Sequence, residues 1–197
     1  MTLPGSALFS SAGGDRVQIV LGLEPAWPAA RIVGPAFTVQ GAPGDNLALH
    51  HAGASAGPGD VIVLAVGGER EIAHCGEIVA VAALERGIAG IVLDGAIRDR
   101  AEITALGLPV FFRGTSPRGP GKKGPGALGA PVELAGVTIH PGDLVCADAD
   151  GVAIVPGRDI DEVNAAVAAL EQREAQVVAD LRSGRSTVDI FGLEELP

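Results

Sequence analysis

The chain contains no tyrosine, one tryptophan and five phenylalanines in 197 residues. So few flat rings leave almost no surface on which successive bases could stack, which argues against a single-stranded nucleic acid as ligand. Positive charge is also short, with 14 basic residues against 24 acidic ones and a net charge of -10. That balance repels polyphosphate unless a local basic patch overrides it, so direct RNA binding is not expected. The two cysteines, Cys75 and Cys146, are too few for a disulfide framework or a thiolate metal site. Cys75 has no recognisably paired histidine and reads as a small buried filler rather than a nucleophile. No apolar run is long enough to span a bilayer, and Met1-Thr2-Leu3-Pro4-Gly5 lacks the basic start of a secretory signal. A cytoplasmic protein with no membrane association is expected.

What the chain does have is aliphatic bulk. Hydrophobic residues make up 47% of it, with 29 glycines, enough for one tightly packed domain spanning 1–197 with no internal repeat.

The stretch richest in chemistry is Gly90-Ile91-Val92-Leu93-Asp94-Gly95-Ala96-Ile97-Arg98-Asp99. An apolar strand enters a glycine turn and presents a fixed cation beside a carboxylate that could ligate a metal. In open α/β sheets, ligands bind beyond the carboxyl ends of strands, where side chains are oriented by the sheet yet reachable from solvent. The same residues also read as a surface turn capping the next helix. Upstream, Cys75-Gly76-Glu77-Ile78-Val79 opens an amphipathic helix that stops at Gly87. The first amides of a helix lack internal partners, so those of Ile78 and Val79, with the helix dipole behind them, can hold a small carboxylate. Strand 60–65, helix 76–86 and strand 90–94 have the lengths of a βαβ unit with parallel strands. The helix start meets Arg98 only if residues 67–74 loop back.

Elsewhere the pattern predicts a strand over 31–39, a short helix over 46–52 capped at Asp45-Asn46, and a strand over 110–113. Residues 114–126, rich in glycine and proline, read as a loop. Its basic residues, with Arg113, either cover an anionic substrate or simply solvate the surface. Two hairpins follow, 132–134 with 137–140 and 144–147 with 152–155, and together with the βαβ unit they indicate a mixed α/β sheet. A long helix over 160–183 carries Val163, Val167 and Leu170 on one face and Glu171 and Glu174 on others, longer than one small domain needs. His50 and His51 point about 100° apart on a helix and cannot readily share one ion. His74 reads as a residue of the site's rim, and His140 has no functional case.

Taken together and in order, Gly34-Pro35-Ala36-Phe37-Thr38-Val39, Gly44-Asp45-Asn46-Leu47, Pro58-Gly59-Asp60-Val61, Gly76-Glu77, Asp94-Gly95-Ala96-Ile97-Arg98-Asp99, Arg113-Gly114-Thr115-Ser116-Pro117, Pro141-Gly142-Asp143 and Asp150-Gly151-Val152 resemble the RraA-like family. That family holds class II 4-hydroxy-4-methyl-2-oxoglutarate and 4-carboxy-4-hydroxy-2-oxoadipate aldolases and the regulator of ribonuclease E activity. The resemblance implies the swivelling β/β/α fold and a trimer or hexamer with sites at subunit interfaces. It implies that Asp99 binds a divalent metal and that Arg98 contacts the keto or enolate oxygen of a pyruvate-like substrate. Glu77 stands where the aldolases carry an acidic residue that positions a water; it is one methylene longer than aspartate. Gly76 and the amides of Ile78 and Val79 correspond to the carboxylate-binding turn. Glu174 is the nearest match to a glutamate that approaches a neighbouring subunit's metal through water.

The function this implies is a magnesium- or manganese-dependent lyase that cleaves a small 2-oxo acid through a pyruvate enolate, with oxaloacetate decarboxylation as an accompanying activity. A non-catalytic regulator that binds a ribonuclease or another protein, and a small-anion sensor, stand as the competing readings.

Overall fold

The computed structural model describes residues 3–194. Helix α1 (Ser6–Gly13) precedes short strands β1 (Gln18–Val20) and β2 (Glu24–Pro25) and the long strand β3 (Ile32–Gln40). Helix α2 (Leu47–Ser55), strands β4 (Val61–Ala65) and β5 (Ala73–Cys75), and helix α3 (Glu77–Glu85) come next. Strands β6 (Gly90–Leu93) and β7 (Ala96–Ile97) lead to helix α4 (Arg100–Leu106), then to β8 (Val110–Phe112) and β9 (Gly114–Thr115). After β10 (Ala127–Leu128), hairpin strands β11 (Val132–Leu134) and β12 (Val137–Ile139) are followed by β13 (Leu144–Asp148) and β14 (Gly151–Val155). Helices α5 (Ile160–Arg182) and α6 (Thr187–Phe191) close the described chain.

Nine strands form one mixed sheet in the order β1-β14-β13-β3-β4-β6-β8-β2, with β10 added to β3. Its centre, β3-β4-β6-β8, is parallel, and the flanking pairs are antiparallel. All five residues of β4 and all four of β6 are buried, as parallel strands covered on both faces must be. Alternation sorts their side chains. Ile62, Leu64, Ile91 and Leu93 pack with Leu49, Ala80 and Ile103 on the helical side. Val61, Val63 and Val92 pack with Leu134, Ile139 and Val145 on the other. A third cluster, including Phe9, Val155, Val163 and Val167, lies under α1 and α5.

The βαβ unit, both hairpins, the mixed sheet and the long terminal helix match the sequence pattern. The differences are local. Helix α2 starts at Leu47 and runs on to Ser55, and Asn46 makes no side-chain cap. The Asp45 carboxylate instead accepts the Leu47 amide at 2.9 Å. The stretch 114–126 is not wholly irregular, because Gly114–Thr115 pairs with β7 and Gly121 bridges Asp45. Helices α1 and α6 and strands β1, β2 and β10 lack a periodic signal because each is too short to show one. Only Val163 and Val167 of α5 are buried, so the outer half of a helix about 35 Å long runs beyond the core. No helix among the described residues is long and apolar enough to cross a membrane.

Candidate functional site

Beyond the carboxyl ends of β4, β6 and β8 the chain builds a second, smaller parallel sheet, β5-β7-β9. Asp94 makes the break between the tiers. Its buried carboxylate accepts the Val66 amide at 2.6 Å and the Gly68 amide at 3.0 Å, which turns the chain after β4 and sends residues 67–74 back across the sheet end. As a result the Arg98 amide donates to the Cys75 carbonyl at 2.9 Å, and the Ser116 amide to the Ile97 carbonyl at 2.9 Å. The start of α3, the Arg98-Asp99 turn and the segment after β9 thus lie side by side.

Asp99 holds a left-handed backbone, φ 54° and ψ 41°, which aspartate tolerates better than most residues. Its Oδ2 accepts the Glu77 amide at 3.1 Å and lies 3.5 Å from Arg98 Nε. A Cβ at Gly76 would lie 2.6 Å from that same oxygen and 3.0 Å from Arg98 Cγ; only glycine permits the approach. Of the amides at the start of α3, Glu77's is therefore spent on Asp99. Those of Ile78 and Val79 have no acceptor among the described residues.

Gly76, Ile78, Val79 and Arg98 border a small, partly open cavity of about 90 Å³, whose wall also includes Asn46, His50, His74 and Lys122. Arg98 also faces a second, open cleft of about 490 Å³ that it shares with Asp99, Thr115 and Ser116. Its guanidinium is the group common to both spaces. Arg100, on the open side, is committed elsewhere: it donates to the Ala26 and Pro25 carbonyls at 2.9 Å each and its guanidinium lies 5.2 Å from the centre of the Phe112 ring.

Segment 116–126 is a strap laid over the site. The Ala73 amide donates to the Arg118 carbonyl at 2.9 Å, the Asn46 amide to the Gly121 carbonyl at 3.0 Å and the Gly121 amide to the Gly44 carbonyl at 2.8 Å. The Lys123 amide donates to Asp45 Oδ2 at 2.7 Å. A Cβ at Gly119 would meet Arg98 Nη1 at 2.8 Å. This packing brings Lys122 to the cavity wall, while Arg118 is turned outward to Glu71 at 3.4 Å.

Burial pushes the Cys75 thiol up to about 12, helped by the negative charge of Asp99, which leaves it a neutral wall residue. His74 is almost fully buried, a wall residue rather than one of the rim. Burial lowers its pKa against the opposing pull of Glu69, the Ala42 carbonyl, Asp94 and Asp45. His50 is lowered by burial first and then by the Lys122 charge.

Among the described residues, no group of three or more His, Cys, Asp or Glu side chains converges as a metal cage. Asp99 would be the donor at the site. Its side chain is 38% exposed, and its Oδ1 takes no hydrogen bond from a described group. One hard oxygen donor open to solvent fits magnesium or manganese, which keep several waters, and does not fit zinc. Glu77 is exposed at the first position of α3. Glu174 stands apart, in a cleft with Arg31, Asp148 and Asp150. Asn46, His50 and Lys122 were not legible as site residues: the first reads as a helix cap, the second as an ordinary histidine and the third as loop charge.

A mixed-sheet α/β domain of the swivelling type, with a helix start whose Ile78 and Val79 amides meet no acceptor among the described residues set against an arginine, is the class that fold and site define. The RraA-like family, described as Aldolase/RraA, matches residues 8–154, and the chain belongs to it. A putative 4-hydroxy-4-methyl-2-oxoglutarate aldolase of Halalkalibacterium halodurans is 48% identical over 126 residues, covering 64% of this chain and 60% of that protein. The match therefore spans about three fifths of that relative's length. Among solved structures, RraAS2 of Streptomyces coelicolor, described as an unusual member of the RNase ES inhibitor RraA family, superposes with TM-score 0.73 at 29% identity, over 89% of this chain and 91% of that one. A Geobacillus kaustophilus protein described as an S-adenosylmethionine:2-dimethylmenaquinone methyltransferase superposes with TM-score 0.72 at 36% identity, over 76% of this chain and 92% of that one.

Proposed function

We propose that this protein is a divalent-metal-dependent lyase that releases pyruvate from a small 2-oxo acid, of the 4-hydroxy-4-methyl-2-oxoglutarate aldolase type, with oxaloacetate decarboxylation as a side activity. The observation that carries this reading is the position of Arg98 between a small cavity lined by the start of α3 and a larger, more open cleft. The smaller side suits the three-carbon half that becomes pyruvate: its carboxylate meets the Ile78 and Val79 amides and the positive end of α3. Its 2-oxo oxygen then faces Arg98, and the scissile bond points toward the open cleft, where the leaving fragment has room.

Breaking that bond leaves an enolate. Arg98 is already oriented by Asp99, so it stabilises the growing charge without reorganising. Asp99 would hold the divalent cation, which supplies Lewis-acid polarisation of the 2-oxo group when bound. Glu77 positions the water that takes the proton from the hydroxyl of the substrate and returns one to the enolate carbon. Lys122 adds positive charge to the wall of a chain whose net charge is -10, drawing anionic substrates to this end. Glu174 borders a different cleft, so its part in the reaction runs through a neighbouring copy in a trimer or hexamer.

The aldolase relative and the RNase-inhibitor relative point to different roles. The test is pyruvate release from oxaloacetate and from 4-hydroxy-4-methyl-2-oxoglutarate, coupled to lactate dehydrogenase, with magnesium and with chelator. Turnover that chelator abolishes supports the lyase. No turnover of either substrate, with retention of a ribonuclease on the immobilised protein, supports the regulator.

A further inference from the structure

Four buried polar atoms on residues lining the smaller cavity meet no hydrogen-bond partner among the described residues and are left unused by the lyase reading: Asn46 Oδ1, both ring nitrogens of His74, and His50 Nε2. His50 Nε2 is fully buried and meets no hydrogen-bond partner. His50 lies one helical turn beyond Asn46, its amide donating to the Asn46 carbonyl at 3.1 Å, so both side chains share one face of α2. Both line this cavity. Behind the imidazole lies a second space of about 230 Å³ between α2 and α3, which His50 and Val79 border as well. The ring is thus part of the partition between the two. A leucine there would serve the partition better, because a buried nitrogen without a partner costs stability that an alkyl group does not. A polar group kept unpaired beside a cavity is one whose partner arrives with a ligand.

We propose that His50 is a further substrate-binding residue, donating from Nε2–H to a carboxylate oxygen of the three-carbon acid in the smaller cavity. The assignment rests on the lyase reading and deepens it. Burial and the Lys122 charge both favour the neutral imidazole, and a neutral imidazole carries one N–H to donate. The carboxylate has lone pairs enough for His50 and for the α3 amides together.

The test measures pyruvate and oxalate binding by calorimetry in the presence of magnesium, and thermal unfolding without ligand, for wild type, His50→Gln, His50→Asn and His50→Leu. Glutamine carries its amide nitrogen to the place of Nε2, and asparagine carries its own to the place of Nδ1. The expected result is binding by His50→Gln within a few-fold of wild type, with His50→Asn and His50→Leu weaker by roughly tenfold or more. His50→Leu is expected to unfold no lower than wild type. Equal binding by His50→Asn and wild type, or affinity losses that follow unfolding temperature across all three variants, overturns the assignment while leaving the lyase reading in place. Failure of the wild type to bind either acid overturns the reading of the cavity, and the role of His50 falls with it.

Discussion

The Asp99 carboxylate closes the start of the Glu77 helix: its Oδ2 accepts the Glu77 amide at 3.1 Å while lying 3.5 Å from Arg98 Nε. One oxygen thus ends a helix and orients a guanidinium. The other oxygen takes no hydrogen bond from a described group, and the backbone takes a left-handed conformation, φ 54°. Such strain costs on the order of 1 kcal/mol or more and persists where the surroundings over-determine it.

Replacing Asp99 by asparagine separates these duties. Asparagine also tolerates the left-handed backbone and its carbonyl oxygen can still accept the Glu77 amide, so unfolding temperature should change by only a few degrees. Magnesium-dependent pyruvate release should fall by roughly 10²-fold or more. Full activity in Asp99→Asn, measured in the lactate dehydrogenase assay, would remove this residue from the reaction.

A methyl group at Gly76 has nowhere to go. Gly76→Ala places a carbon 2.6 Å from Asp99 Oδ2 and 3.0 Å from Arg98 Cγ. We expect destabilisation of about 1–3 kcal/mol and loss of carboxylate binding, since the turn, Asp99 and Arg98 must all shift. Denaturant unfolding and pyruvate titration of the same preparation check the two together.

Lysine in place of Arg98 keeps the charge and loses the planar fork that faces two spaces. The expected outcome is a large fall in kcat/KM, of similar size for oxaloacetate and for the longer hydroxy-oxo acid. A fall confined to the longer acid would place Arg98 against the leaving fragment instead of the 2-oxo group.

Asp45 fastens the strap, accepting the Leu47 amide at 2.9 Å and the Lys123 amide at 2.7 Å. These bonds, the Leu47 one foremost, hold its pKa below the ordinary 3.8 against the opposing effect of desolvation. A carboxylate with a depressed folded pKa stabilises the fold above its unfolded pKa, and that contribution is lost as pH falls through the folded value. The strap should therefore loosen only below about pH 4. The Lys123 amide proton resonance, followed by NMR down to low pH, should titrate with Asp45, and the titration should vanish in Asp45→Asn.

Much of the scaffold was legible because it rests on local pattern. The continuous apolar runs of Val61–Ala65 and Gly90–Leu93 with the helix between them mark a covered parallel pair, and Ala135-Gly136 marks a hairpin. Arg98 and Asp99 stood out because a charged pair follows a buried strand at a glycine turn. Asn46, His50 and Lys122 did not. They come from a helix and a strap that meet only when the Gly121 backbone pairs with that of Asp45 and its neighbours, and no periodicity in either segment records such a meeting.

By itself the amino-acid order determined the parallel βαβ centre, the aliphatic core, the scarcity of base-stacking surface and the arginine–aspartate turn, because each depends on neighbours a few residues apart. Only the tertiary structure decided that Asp94 turns the chain back, that the helix start reaches Arg98, and that the strap forms part of the wall of a small cavity on one side of that arginine and leaves a cleft on the other. Those outcomes rest on hydrogen bonds and close contacts between segments distant in the chain, where a few tenths of an ångström at a glycine decide what can approach.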